Sequence, residues 1–264
     1  MIKKVSILIA FAALGVFCAL AAQAESVRGE GRYVSQTLTQ LTPFNAVEVH
    51  GDITVEVRQA AAQQVTLHGR ANLVALADVR VENNTLMVDY KRPLRVKGKD
   101  GLRVTVFVPQ LISVTVRHDG KVRLQGLFET PQMTLNAADE GEMTVAHLKT
   151  DTARVQVMNK ADIDIERLHA QMLEAATFGK AELEVSGYAQ SAKFTNNSTQ
   201  DIDAANLRAE IVHATVNNKG DIEIFATKTL QADANALGTI TYHGIPTLTR
   251  EGNLKKIKPA FDTD

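Results

Sequence analysis

Between Ser113 and Pro246 a short unit recurs about seven times, and any fold for this chain has to accommodate it. Its clearest copies are Lys160-Ala161-Asp162-Ile163-Asp164-Ile165, Lys180-Ala181-Glu182-Leu183-Glu184-Val185 and Lys219-Gly220-Asp221-Ile222-Glu223-Ile224. The first apolar residues of all the copies are Val122, Met143, Ile163, Leu183, Ile202, Ile222 and Ile240, so the steps are 21, 20, 20, 19, 20 and 18 residues. A period near 20 with alternation of period two signals a solenoid of short strands, because helical-hairpin repeats need about 33 residues and a 3.6-residue period.

Counted from the first apolar residue, three further columns recur in every copy. Two residues on stand Leu124, Val145, Ile165, Val185, Ala204, Ile224 and Tyr242; five on, Leu127, Leu148, Leu168, Tyr188, Leu207, Thr227 and Ile245; eight back, Val114, Leu135, Val155, Ala175, Phe194, Ala214 and Ala232. These columns predict coils whose inward side chains stack on one another, closing a core that no single coil could form. At the usual strand separation, seven coils make a rod of about 30 Å.

Upstream, apolar residues alternate at Val47 and Val49; Ile53, Val55 and Val57; Val65 and Leu67; Val79 and Val81; Leu86, Val88 and Tyr90. Turn-forming residues separate them at His50-Gly51-Asp52, His68-Gly69 and Asn83-Asn84, which reads as two antiparallel hairpins. A helical turn is expected over Leu73 to Ala77, and a further strand over Leu102 to Val108 leads into the repeats without a linker.

The fold expected is all-β: a right-handed parallel β-helix with an N-terminal antiparallel hairpin section. Residues 1–24 read as a signal peptide: Lys3 and Lys4, an apolar run from Val5 to Leu20, and Ala22-Gln23-Ala24 before Glu25. An uncleaved anchor, or a lipoprotein acylated on Cys18, is the competing reading. Residues 25–43 read as a flexible lead. One domain follows over 44–250, hairpin-rich over 44–112 and repeating over 113–246, and 251–264 form a tail that either caps the last coil or stays a basic extension. Export would place the chain in the periplasm, on the cell surface or outside the cell, with no transmembrane segment once the leader is removed.

Loss of the leader removes Cys18, the one cysteine, and with it disulfides, thiolate metal sites and cysteine nucleophiles. The formal charge moves from -1 to about -3 without Lys3 and Lys4, which gives no reason to expect nucleic acid as a partner. The seven histidines form no paired motif, and no nucleophile elbow, phosphate loop or zinc spacing occurs.

Two outward columns are acidic. One residue before each first apolar position stand Glu142, Asp162, Glu182, Asp201 and Asp221, and one after stand Asp164, Glu184, Asp203 and Glu223. Unit charges about 5 Å apart repel by roughly 0.8 kcal/mol even in water. Either a neighbouring lysine column of Lys160, Lys180 and Lys219 offsets this, or the face takes divalent cations such as Ca²⁺ through Asp162, Asp164, Glu182, Glu184, Asp201, Asp203, Asp221 and Glu223. A basic partner surface would serve the same end. Asparagines gather at one corner, at 159, 197, 217, 218 and 235, either as a side-chain ladder or because Asn suits the turn.

The order Phe44-x-x-Val47-x-Val49-x-Gly51-x-Ile53-x-Val55, Asn72-Leu73-x-x-Leu76, Glu82-Asn83-Asn84 with Leu86-x-Val88, and Gly238-Thr239-Ile240-Thr241-Tyr242-His243-Gly244-Ile245-Pro246 resembles the head GIN domain family of putative auto-transporter adhesins. The resemblance covers Phe44 to Pro246. It implies a secreted or envelope β-helical protein without established enzymatic activity, and it brings no functional residues to carry over. The chain shows no C-terminal translocator barrel, so self-export is not expected of it. The function expected is a non-catalytic binding or structural module with an envelope, glycan or protein partner and no cofactor. The rival is a polysaccharide lyase or hydrolase on the same scaffold.

Overall fold

The computed structural model describes residues 25–98 and 100–260. The leader at 1–24 therefore lies outside the described residues, and so do the last four residues of the tail. The elements run β1 (Glu25–Arg28), β2 (Tyr33–Leu38), β3 (Ala46–Val49), β4 (Ile53–Gln59), β5 (Gln64–Arg70), α1 (Ala71–Leu76), β6 (Ala77–Glu82), β7 (Thr85–Tyr90), β8 (Leu94–Lys97), β9 (Leu102–Val108) and β10 (Ser113–Val116). Then come β11 (Lys121–Ala137), β12 (Glu142–Asn159), β13 (Asp162–Gly179), β14 (Glu182–Ser198), β15 (Ile202–Val216), β16 (Ile222–Ala234), β17 (Ile240–His243), β18 (Thr247–Gly252) and β19 (Ile257–Pro259).

The strands build a β-solenoid of about seven turns with about 20 residues per coil. From β11 to β16 each strand wraps most of one coil and pairs in parallel with the next. In β13 the first side is Asp162–Ile165, a short second side is Leu168–Ala170, and the third side is Met172–Gly179. Ile163, Ile165, Leu168, Ala170, Leu173 and Ala175 turn inward and are buried, as period-two alternation requires.

The column eight residues back, from Val114 to Ala232, is buried throughout. The column five residues on is not. Leu148, Leu168 and Leu207 point inward, but Leu127, Tyr188 and Ile245 are 45, 36 and 97% exposed. Bulges cause this. At Gly187 the backbone takes φ 124°, Leu168 pairs with Gly187 rather than Tyr188, and every later residue on that side slips by one. In the first coil Gly126 (φ 82°) does the same, and Phe128 fills the core in place of Leu127.

The turn before the first side is a stacked column of left-handed residues from β4 to β14: Gly51, His118, Asp139, Asn159 and Gly179, all with φ between 57 and 82°. Gly, Asn and Asp tolerate that conformation best, which explains the residue types at this corner. Both readings of the asparagines hold. Asn159 makes the turn and donates to the Asp139 carboxylate at 3.0 Å, while Asn235, Asn217 and Asn197 form an amide ladder with steps of 3.1 and 3.0 Å.

Antiparallel pairing occurs in the N-terminal section, where β6 and β7 form a hairpin through Asn83 and Asn84, both at positive φ. Its arrangement differs from two successive hairpins. Strands β3 and β4 are two sides of one coil, because β3 stacks in parallel on β10 and β4 on β11. The coil beyond them, β7 and β9, comes later in sequence but lies further toward the end of the stack. There β5 and β2 continue the first-side sheet and β6 the third-side sheet, all antiparallel, so they terminate the open end.

Residues 25–43, expected to be a flexible lead, carry β1 paired with β8 and β2 paired with β5. Their apolar residues are single and only half-buried, among them Val27, Val34 and Leu38, so no sustained alternation marks them. At the other end the coils continue past Pro246: β18 stacks on β16, β19 on β17, and Ile257 is buried. The described part of the tail, up to Ala260, is thus the last layer of the rod rather than a loose extension.

Candidate functional site

The first side carries the carboxylate columns, and the structure puts them in register as the spacing predicts. Glu142 lies beside Asp162 and Asp162 beside Glu182, while Asp164, Glu184, Asp203 and Glu223 follow one another coil by coil. The expected lysine column does not neutralise them. Lys160 reaches back to Glu140 in the preceding turn at 2.6 Å, and no ion pair of Lys180 or Lys219 occurs among the described residues. At Lys160 the corner between lysine and first side turns the ammonium along the rod, toward the coil before.

Relief comes at the ends of the columns. Lys121 pairs with Glu142 at 2.6 Å, and His243 lies 2.7 Å from Glu223. In the middle the strain is visible in proton affinity: burial first, then neighbouring carboxylates, push Asp162, Asp164 and Glu184 above the usual range. Two further members hold the backbone: Asp201 accepts from the Asp221 N–H at 2.8 Å and Asp221 from the Thr239 N–H at 2.6 Å. Among the described residues no three His, Cys, Asp or Glu side chains gather where they could hold a metal ion together.

The second side carries a feature that the spacing did not reveal. Its outward residues, paired coil to coil, are Glu129, Lys149, His169, Tyr188, Arg208, Phe225 and His243. Glu129 and Lys149 form an ion pair. The His169 and Tyr188 rings then stack with centroids 5.4 Å apart and planes 28° apart. Arg208 places its guanidinium carbon 5.1 Å from the Phe225 centroid, and Phe225 stacks on His243 at 6.1 Å and 8°. The His169–Tyr188, Arg208–Phe225 and Phe225–His243 steps are of a kind that attracts, a cation over a ring or stacked rings, worth about 0.5–1 kcal/mol each.

Neighbours fix the stripe. The Tyr188 hydroxyl donates to Glu210 at 3.1 Å, and Lys228 pairs with the same carboxylate at 2.6 Å, which lowers the Glu210 proton affinity. Beside the upper half of the stripe runs a groove of about 500 Å³ lined by four successive coils. One wall is the Lys149, His169 and Tyr188 row, and the other is Asp151, Gln171 and Gln190. Counting apolar positions placed Tyr188 inside with Leu168, and that hid the row. The sequence signal that marks it is Gly187 together with the shortened 19-residue step.

The fold is shared with proteins of known structure. Crystal structures similar to this chain include a "putative adhesin" from Parabacteroides merdae, with 18% identity and TM-score 0.80 over 90% of this chain and 100% of that one. Another "putative adhesin", from Parabacteroides distasonis, has 18% identity and TM-score 0.83 over 89% and 100%. A "putative lipid binding protein" from the same species has 17% identity and TM-score 0.82 over 90% and 100%. At such identities the likeness shows the fold alone. No protein of curated function matches the sequence. Residues 43–246 match the family described as "Putative auto-transporter adhesin, head GIN domain". With most of its length inside that match, the chain belongs to the head GIN domain family.

Proposed function

We propose that this chain is an exported, non-catalytic binding module of the adhesin type, and that the second-side stripe is its binding surface. The observation that carries this is the register of His169, Tyr188, Arg208, Phe225 and His243. Five aromatic or planar cationic side chains are aligned outward on consecutive coils of a chain whose aromatic content is only 5%. Aromatic and arginine side chains are the groups that dominate contact energies in recognition surfaces. A rigid solenoid holds them without a loop to order on binding.

The family description supports a binding role. Export is supported by the leader-like residues at 1–24, which lie outside the described structure. Among the described residues no helix is long and apolar enough to cross a membrane.

The test is retention of the fluorescently labelled chain by intact bacterial and epithelial cells, alongside an assay for new reducing ends on common polysaccharides. Saturable retention without new reducing ends is the expected result. Turnover would assign the scaffold to the lyase or hydrolase class.

A further inference from the structure

We propose that the groove beside His169 and Tyr188 takes an extended, uncharged polysaccharide chain running along the rod, an inference that rests on the binding role proposed above. Three observations lead there. First, the groove is lined by residues of four successive coils, Glu129 to Pro131, Lys149 to Asp151, His169 to Gln171, and Tyr188 with Gln190. The groove therefore runs along the axis at about 4.8 Å per coil, with Gln171 and Gln190 at equivalent positions of adjacent coils, and two coils span about 10 Å, the length of a disaccharide unit. A polymer with a repeating unit matches such a surface; a compact small molecule would use only one step of it.

Second, the two walls differ in the way a sugar ring does. The His169 and Tyr188 wall offers apolar ring carbon, while Asp151, Gln171 and Gln190 offer amide and carboxylate groups for hydroxyls. The Gln171 amide donates to Asp151 at 2.9 Å, which orients both groups and leaves further lone pairs and one N–H for a ligand. Gln190 makes no side-chain hydrogen bond among the described residues, so its amide is free to turn toward a ligand.

Third, charge and backbone exclude the competing polymers. Glu129 and Lys149 cancel each other, which leaves Asp151 as the unpaired charge in the groove, so a polyanion would meet repulsion and no compensating cation. An extended peptide could not add to the sheet here, because the strands of the second side are already paired on both edges from β12 to β15.

The experiment titrates the chain by calorimetry with laminarin, xylan, galactomannan and dextran, with alginate as the charged control, and then with oligosaccharides of two to six units from any binder. The proposal expects at least one neutral polysaccharide to bind and affinity to rise at least tenfold between two and six units. Tyr188→Ala and, independently, Gln190→Ala should each weaken that binding at least tenfold. Gln190 supports no other side chain, so its variant keeps the test valid if Tyr188→Ala unfolds. Glu174→Gln, on the third side, should bind as the parent does. Failure of all four neutral polymers, binding of alginate alone, or undiminished binding by Gln190→Ala would overturn the proposal. Retention by cells that Tyr188→Ala weakens but polysaccharide does not compete would overturn the ligand class and leave the binding role standing. Absence of retention would overturn both.

Discussion

The first and second sides of the rod are built by the same repeat and stack at the same spacing, yet one gathers repulsion and the other attraction. On the first side Asp164, Glu184 and Asp203 follow one another as like charges; burial first, then the Asp164 and Asp203 carboxylates, raise the proton affinity of Glu184, and burial with nearby Glu166 raises that of Asp164. On the second side three of the steps between coils instead place a ring against a ring or a guanidinium. A solenoid converts any sequence column into a stack of neighbours about 5 Å apart, so identical residues are a cost when charged and a gain when planar. The difference teaches that a column's spacing does not reveal its role; the chemistry of adjacent members does.

The strongest way to break this contrast is at the bulge that separates the two sides. A Cβ on Gly187 would lie 2.1 Å from the Leu168 carbonyl oxygen, in a backbone conformation (φ 124°) that other residues avoid. Gly187→Ala should therefore cost about 3 kcal/mol, near 10 °C in the unfolding midpoint, with the Tyr188 stack lost from near-ultraviolet circular dichroism. A change under about 1 °C would mean that the register slip does not depend on this glycine.

Next in size is the stripe itself. A double-mutant cycle with Arg208→Gln and Phe225→Leu, read by denaturant unfolding, should give a coupling of about 0.5–1 kcal/mol. Zero coupling would reduce the stripe to an accident of register.

The first side should respond in the opposite sense. Asp164→Asn is expected to stabilise the fold by about 0.5 kcal/mol at pH 7, a modest figure because solvent screens this partly exposed group. The folded carboxyl has a proton affinity above its ordinary value of 3.8. The unfolded state thus binds fewer protons between the two values, so the penalty is complete above the folded value and fades as pH falls through it. It is gone below about 3.8, and the gain of the variant should vanish there with it. A gain that persists in acid would point to packing instead of charge.

Smallest is the effect of calcium. Binding of Ca²⁺ along these columns remains a separate proposal, and carboxylates acting as independent charges should give the same unfolding midpoint in millimolar Ca²⁺ and in chelator at matched ionic strength. A rise above about 2 °C would assign them a shared ion.

Much of this was legible in the chain. The period predicted the coils, the column from Val114 to Ala232 is buried as expected, and the acidic residues stand where alternation puts them. Three things were not legible, each for a physical reason. Period-two alternation says which face is buried but not which strand is the neighbour, so β3 and β4 looked like a hairpin when they are sides of one coil. Strands β1 and β2 rest on single half-buried residues and leave no pattern. The stripe was hidden because one inserted or omitted residue at a bulge exchanges inside for outside, and Tyr188 was counted with Leu168 when it pairs with His169.

Binding by matched variants of the two sides tests the central claim most directly: retention of labelled chain on intact cells, compared for Tyr188→Ala with Arg208→Gln on the second side and for Asp164→Asn with Glu184→Gln on the first. The predicted result is at least a tenfold loss of retention for the second-side pair and none for the first-side pair. The reverse outcome would contradict the assignment and return the binding surface to the carboxylate columns.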